Sequence, residues 1–490
     1  MLKRIRQAVA AISILMVTAL FLDFTGTVHH WLGWMAKIQF LPALLALNVG
    51  VIIGLVVLTL IFGRLYCSVI CPLGIMQDGF ALLGKRAKKN RYGYSPAKKV
   101  LRLLMLLIMI AAIVAGIGSL VALLAPYSAY GRIVSSLLAP VWAWGNNLLA
   151  SWAEAHESYA FYSVDVWLRS GVTLAVAVIT LVVLAVLAWR NGRTYCNTIC
   201  PVGTVLGALS RFSLLKPVID TSKCNGCGLC ARNCKAACID SKNHRIDYTR
   251  CVACFDCLGK CRQGAISYRR PKKAAEAAGE VDSSKRSFLA VGMTLAATAA
   301  LHAKEKTVDG GLATITDKKI PKRRTKIVPP GAASIRNLER HCTACQLCVS
   351  VCPNGVLRPS TDLSSMMQPE SSYERGYCRP ECTKCSEVCP AGAIRQITRA
   401  EKSSIQIGHA VWVKENCLPL TEGVRCGNCA RHCPTGAITM VPSEPDNNSS
   451  PWIPVVNTEK CIGCGACENL CPSRPFSAIY VEGHENHRTI

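Results

Sequence analysis

A chain of 490 residues with 51% hydrophobic side chains and a formal net charge of +26 has room for about three or four domains and is too apolar for an ordinary soluble protein. Its 29 cysteines argue against a disulfide scaffold, which belongs to short secreted chains, because they recur at one ligand-like spacing. The basic charge does not mark a nucleic-acid binder. It flanks hydrophobic spans, and no basic patch interleaved with aromatics is present.

Four apolar runs approach the ~20 residues that cross a bilayer: 8–22, 41–62, 101–125 and 171–189. The first is the shortest. The stretch 133–152 is also apolar, but Pro140, Gly145, Asn146 and Asn147 interrupt it, and its Trp142, Trp144 and Trp152 suit an interfacial helix. Lys3, Arg4 and Arg6 precede the first span. The loop between the second and third carries Arg64, Lys85, Arg86, Lys88, Lys89, Arg91, Lys98, Lys99 and Arg102 against one acid, Asp78. The other loops hold only Lys37, Arg132 and Arg169, so the N-terminus, the basic loop and the segment after the fourth span are expected on the cytoplasmic side of the inner membrane. Asp23, His29 and His30 then fall in the first outer loop, either as ordinary loop polar residues or as proton acceptors.

The second and fourth spans end in nearly the same words. One reads Gly63-Arg64-Leu65-Tyr66-Cys67, three residues, Cys71-Pro72-Leu73-Gly74. The other reads Gly192-Arg193-Thr194-Tyr195-Cys196, three residues, Cys200-Pro201-Val202-Gly203. This predicts a duplicated two-helix hairpin whose halves meet with Cys67, Cys71, Cys196 and Cys200 together. Such a set binds a cofactor, as a further iron–sulfur cluster, or acts as a dithiol relay; the bland alternative is four small buried hydrophobes. No span carries a histidine and no Cys-x-x-Cys-His occurs, so haem has no place in this reading.

The remaining motif cysteines form six groups of four, each closing Cys-x2-Cys-x3-Cys, enough ligands for six [4Fe–4S] clusters. Residues 216–275 hold the first two: Cys224, Cys227, Cys230, Cys234 and Cys251, Cys254, Cys257, Cys261. In two-cluster ferredoxins the fourth cysteine of each group ligates the other cluster, which joins Cys261 to the first trio and Cys234 to the second. Lys235 and Arg262 replace the usual proline, and free positive charge there is expected to raise the potential. Cys238 stands outside the pattern and competes with Cys234 as a ligand.

Residues 276–334 form a linker. Ser284-Lys285-Arg286-Ser287-Phe288-Leu289-Ala290 leads into the apolar run 287–303 and looks like a twin-arginine export signal with lysine for the first arginine, here internal and serving as a fifth span. The run is short for a span, and the basic stretch from Lys304 to Lys326 on its far side resists outward placement. Residues 335–490 hold four groups, each ending Cys-Pro: Cys342, Cys345, Cys348, Cys352; Cys378, Cys382, Cys385, Cys389; Cys417, Cys426, Cys429, Cys433; and Cys461, Cys464, Cys467, Cys471. Gly392–Ile394 and Gly436–Ile438 each predict a turn into a covering strand. Which groups pair is not legible. Arg340, His341, Lys384, Arg425, Arg431 and His432 flank ligands, as solvated surface or as guides for an acidic redox partner.

The expected architecture is therefore a membrane α-helical bundle of four spans with a duplicated hairpin (1–215), plus α+β ferredoxin-like modules of two and four clusters. The doubled Cys-x3-Cys-Pro hairpin and its two-cluster tail resemble the NapH family, ferredoxin-type membrane subunits of periplasmic nitrate reduction, with MauN and NosR-like relatives. The signal-like segment, Pro329-Pro330-Gly331-Ala332 and the four-cluster module resemble NapG and MauM, so the chain reads as a NapH–NapG-like fusion. The resemblance implies a quinol dehydrogenase subunit that draws on the membrane quinol (menaquinol) pool and passes electrons to a separate, periplasmic reductase, with the C-terminal module outside. No flavin domain like that of NosR is expected. The alternatives are an accessory factor for maturation of a metalloenzyme or oxidase, and a relay fed by a cytoplasmic ferredoxin.

Overall fold

The computed structural model describes residues 1–87, 92–158, 160–271, 306–308, 313–445, 447 and 449–490. The signal-like run 287–303 lies outside the described residues.

Helix α1 (Leu2–Leu22) is longer than its apolar core suggests, because Lys3, Arg4 and Arg6 are drawn into its first turns. Its 21 residues reach about 31 Å at ~1.5 Å per residue, the depth of a bilayer's hydrocarbon core. One face is buried through Ala10, Ser13, Val17, Leu20 and Phe21, while Ile12 and Leu15 on the other are 56% and 68% exposed, as side chains facing lipid would be. The second span is broken. Helix α2 (Phe40–Leu45) stops where Leu47 takes a φ of 52°, and Asn48 then caps α3 (Val49–Phe62) by accepting from the Val51 amide. The third ends α4 (Lys99–Ala115) at Gly116, whose φ of 75° closes the helix.

After α4, helix α5 (Gly118–Leu124) bends by 81° at Pro126 into α6 (Pro126–Ile133), a π-helical turn over Val134–Leu138 and α7 (Ala139–Ala155). The stretch expected to lie at the interface is thus the far part of a bent pair. Its Trp142, Trp144 and Trp152 remain 54%, 61% and 62% exposed. Helix α8 (Gly171–Asn191) is the last span. Among the described residues two helices, α1 and α8, are long and apolar enough to cross a membrane, or three if the bent pair counts as one. Of the four spans expected from hydropathy, the second and third are interrupted, at Leu47 and at Gly116, breaks that window averaging does not see.

The duplication is visible in the backbone. The apolar helices α3 and α8 both end at a glycine of positive φ, Gly63 (72°) and Gly192 (67°). A short helix with the first motif cysteine follows, α9 (Tyr66–Val69) in the first half and α10 (Thr194–Thr198) in the second. A helix opened by the motif proline comes next, α11 (Pro72–Arg86) and α12 (Pro201–Ser210).

The two-cluster module is pinned to the end of α3. The amides of Leu214 and Leu215 donate to the carbonyls of Leu60 and Ile61 at 2.7 and 2.9 Å, and the Tyr268 hydroxyl donates to Phe62 O at 2.9 Å. Its antiparallel strands β1 (Lys216–Ile219) and β2 (Ile266–Arg269) pair Lys216 with Arg269 and Ile219 with Ile266. The four-cluster module is built on β3 (Ile405–Trp412) against β6 (Ile479–Thr489), with a second pair, β4 (Ile438–Pro442) and β5 (Trp452–Val456). The strand expected after Gly436 is β4; Gly392–Ile394 turns without a strand following it.

These modules sit at opposite ends of α1. Lys3 near its start pairs with Asp256 of the two-cluster module at 2.8 Å, whereas Lys384 of the four-cluster module donates to Thr25 O, just past its end, at 3.1 Å. The module at the start of α1 is the inner one and the module at its end the outer one, by position along that helix. Much of the charge that hydropathy counting assigns to loops is internal: Arg64, Arg193 and Arg132 are 0% exposed and Arg6 and Arg102 only 6% and 7%. Part of the basic stretch within the linker is paired as well, although Lys319, Lys322 and Arg324 are exposed. Lys318 donates to the carbonyls of Glu468, Asn469 and Cys471, Arg323 pairs with Glu468, and Lys326 with Glu339. Three charges that opposed outward placement are thereby satisfied within the outer module.

Candidate electron-transfer centres

The two Gly-Arg-x-Tyr-Cys copies clasp each other. Arg193 donates to Cys67 O of the other half at 2.6 Å, and Arg64 returns the contact to Cys196 O at 3.2 Å. A side chain at Gly74 or Gly203 would collide with those same carbonyls and arginines, so the motif glycines permit the crossing. Cys67, Cys71, Cys196 and Cys200 converge in the middle, 4–5% exposed. Donors surround the sulfurs: Gln77 Nε2 lies 3.2 Å and Arg193 Nη1 3.9 Å from Cys196 Sγ, the Gly203 amide 3.4 Å from Cys200 Sγ and Arg64 Nη2 3.8 Å from Cys67 Sγ. Donors aimed at sulfur favour thiolates and the anionic cofactors they hold. Tyr66 completes the first copy, donating to Gln39 Oε1 at 3.0 Å and accepting from the Phe40 amide.

Asp78, the lone acid of the basic loop, is the keystone beneath this cage. It accepts from Arg193 at 2.7 Å, Arg6 at 2.9 Å and Lys235 at 2.9 Å. Burial alone would raise its carboxyl, but Arg193, Lys235 and Arg6 outweigh that and hold it well below the usual carboxylate range. Lys235 also reaches Asp256 at 3.2 Å. Lys235 thus sits in a set of four cations, with Arg193, Arg6 and Lys3, that shares two carboxylates and stays net positive; Arg262 is exposed.

Cys234, Cys238, Cys251, Cys254 and Cys257 line one small cavity in the inner module, so both candidates for the fourth position, Cys234 and Cys238, stand beside the second trio. Cys224, Cys227 and Cys230 stand together nearer the surface, and Cys261 accepts from the Ala265 amide. Cys238 is 1% exposed, with its sulfur 3.5 Å from that of Cys234 and also against Cys251. It stands beside the ligand set as a fifth thiol. The inner module touches the cage through Arg64, whose Nη1 donates to Thr249 O at 3.0 Å, and through Asn197, which donates to Ala236 O.

The outer module supplies the pairing that spacing leaves open. Cys342, Cys345 and Cys348 gather with Cys389, and Cys378, Cys382 and Cys385 with Cys352. Cys417, Cys426, Cys429 and Cys471 line a second cavity, and Cys461, Cys464 and Cys467 gather with Cys433. The first and second groups thus exchange their fourth cysteines, as do the third and fourth. The Cys378 amide donates to Cys464 O at 2.9 Å, which joins the pairs into one row. Among the described residues no three His, Cys, Asp or Glu side chains close on a point as for a single metal ion.

One end of this row enters the bundle. Any side chain on Gly131 of α6 would strike Cys345 O and Phe21, so the helix backbone lies directly on that ligand loop. Ser135 donates to Gln346 Oε1 at 3.2 Å, and Phe21 stacks near Tyr127 at 5.7 Å. Arg340 and Lys384 pack on Gly116 and Gly26, so these two basic residues seat the module on the bundle; Arg425, Arg431 and His432 remain exposed. In the loop after α1 His29 Nδ1 lies 3.0 Å from Asp23, which also accepts from the Thr25 and Gly26 amides. Burial raises the Asp23 carboxyl, but these bonds prevail and hold it below the usual range, so Asp23 shapes the turn that leaves α1.

Comparison with known proteins agrees with this arrangement. A family model described as a 4Fe-4S binding domain matches residues 44–91 and 172–219, one copy for each Cys-x3-Cys-Pro motif, and a 4Fe-4S dicluster domain matches 424–474. Relatives include an uncharacterized protein of Methanocaldococcus jannaschii, 37% identical over 20% of this chain and 39% of its own length. The ferredoxin-type protein NapG of Escherichia coli is 34% identical over 30% of this chain and 66% of its own length. The methylamine utilization ferredoxin-type protein MauM of Methylobacillus flagellatus is 32% identical over 30% and 64%. The match thus spans less than two thirds of these relatives. No solved structure matches. With a 4Fe-4S binding domain in each half of the bundle and sequence similar to the ferredoxin-type proteins NapG, NapF and MauM beside it, the chain is a ferredoxin-type iron–sulfur electron-transfer protein.

Proposed function

We propose that this electron-transfer protein carries electrons from membrane quinol to a separate reductase on the outer side of the membrane. The supporting observation is the row of thiols along the bundle, with the inner module at one end of α1, the clasped Cys67–Cys196 cage beside it and the outer module at the other end. The six ferredoxin-motif quartets, with crossed fourth cysteines, hold six [4Fe–4S] clusters on this reading. Cys67, Cys71, Cys196 and Cys200 hold a seventh, consistent with the 4Fe-4S description of the model that matches both copies. Bound clusters supply one-electron acceptance and donation. The chain's own residues seat them: backbone amides and Gln77 donate to sulfur, Arg64 and Arg193 bind the halves together, and Asp78 keeps the arginines aligned. The export-like run 287–303 would carry the chain across to the outer module.

Anoxic addition of a menaquinol analogue to the purified full chain, followed by EPR of the clusters, tests the donor. Reduced-cluster signals are expected within the mixing time of a manual experiment. Clusters that stay oxidised with quinol yet respond to dithionite would point to maturation or to ferredoxin input instead.

A further inference from the structure

The cleft between the bundle and the outer module has the chemistry of a ligand site. It encloses about 80 Å³ between the end of α1, the α6–α7 turn, the segment before α8 and the Cys345–Cys348 ligand loop. Its walls are apolar and aromatic, with Phe21, Phe24, Trp142 and Trp167. Three of its lining residues each carry a buried polar atom without a hydrogen-bond partner: Arg169 Nη1, which also feels the Cys348 and Cys352 thiols, Thr173 Oγ1 and Gln346 Nε2. Thr173 and Gln346 are only 2% and 3% exposed. A buried polar group without a partner is costly, so three such residues around one cavity call for a polar guest. Two are obligate donors and the third can donate, so the guest presents an acceptor oxygen.

Gln346 adds an independent sign. It follows the second cysteine of its group and has a φ of 66°, where Gly228 and Gly465 occupy the same motif position with φ of 68° and 80°. Glycine takes that conformation without strain, while a side chain there is disfavoured. Phe255 also bears it, in the inner module, and packs edge-on against Tyr268 at 4.9 Å. Gln346 instead accepts from Ser135 with its Oε1, and its buried Nε2 has no partner.

We infer that this cleft binds the headgroup of a membrane quinone or quinol, with Arg169, Thr173 and Gln346 holding a ring oxygen and the aromatic walls holding the ring. The inference rests on the quinol reading above and gives it a place: the ring lies beside the loop that carries Cys345 and Cys348, at the end of α1 next to the outer module. A second groove, of about 670 Å³ between α1 and α11, is the competing location. There the carboxylates of Asp78 and Asp256 are already paired with Arg6, Arg193, Lys3 and Lys235. That groove offers apolar wall from Ala10, Ile14 and Met76 and one buried donor atom without a hydrogen-bond partner, Arg6 Nε, against three such atoms among the lining residues of the cleft.

The test uses the full chain in lipid nanodiscs and a photoreactive azidoquinone. The label is expected on peptides from 135–143 or 164–173. Thr173→Val, which keeps the shape of the residue and lies outside the ligand loops, and Gln346→Asn, which tolerates the backbone conformation, are each expected to weaken azidoquinone binding about tenfold. Iron content and the dithionite-reduced EPR spectrum are expected to stay unchanged. A label on 10–14 or 75–83, or unaltered binding in both variants, overturns the site. Menaquinol reduction measured on the same samples separates the two claims. Reduction with the label elsewhere removes the site and keeps the quinol reading, whereas a label in the cleft without reduction keeps the site and removes quinol as donor.

Discussion

Replacing Cys67 with serine is expected to lower iron by about four atoms per chain, because a [4Fe–4S] cluster needs all four thiolates of its cage. The ferredoxin quartets would stay loaded, since none of them shares a ligand with Cys67. The serine variant keeps nearly the volume of the buried thiol and retains the Arg193 contact, which is made to the backbone carbonyl. Fold loss is therefore not the expected outcome. Cys196→Ser, its counterpart across the clasp, should lower iron equally. Iron and acid-labile sulfide assays check both. Unchanged iron in the two variants would leave the doubled motif with a dithiol or packing role, and the row of centres would be interrupted in its middle.

A second large effect is expected from Asp78→Asn. The carboxylate serves Arg193, Arg6 and Lys235 at once, and Arg193 is fully buried. Removing one charge of a buried set leaves its partners uncompensated, at about 3–5 kcal/mol. The loss falls on the joint between cage and inner module, because Lys235 belongs to that module and Arg193 to the clasp. Lower melting temperature and faster proteolysis after residue 211 are the expected readouts. Asp78→Glu should recover part of the stability. A variant as stable as the parent would mean that the cations are compensated from solvent.

The chemistry of this chain was legible in its cysteines, and the architecture only partly so. Spacing marked out six candidate quartets, and the crossed-ligation rule anticipated Cys234 beside Cys251, Cys254 and Cys257. Pairing in the outer module was hidden, because any two adjacent groups satisfy the same spacing; only the fold brings Cys471 to Cys417 and Cys389 to Cys342. Hydropathy found the apolar runs but merged α2 with α3 and α4 with α5, since a window average is blind to a single left-handed residue such as Leu47 or Gly116. Charge counting treated Arg64 and Arg102 as loop charge although they are buried. A signal was available for Asp78, the lone acid among nine bases. For Gln346 the signal was a glutamine where three sister motifs place glycine.

The central claim is that the two modules work on opposite sides of the membrane. Paired reporter fusions, alkaline phosphatase and green fluorescent protein, placed after Pro271 and at Ile490 of the full chain measure it directly. The account predicts fluorescence but no phosphatase activity after Pro271, and phosphatase activity without fluorescence at Ile490. Fluorescence at both positions would contradict it, for the outer module would then share the cytoplasm with the inner one.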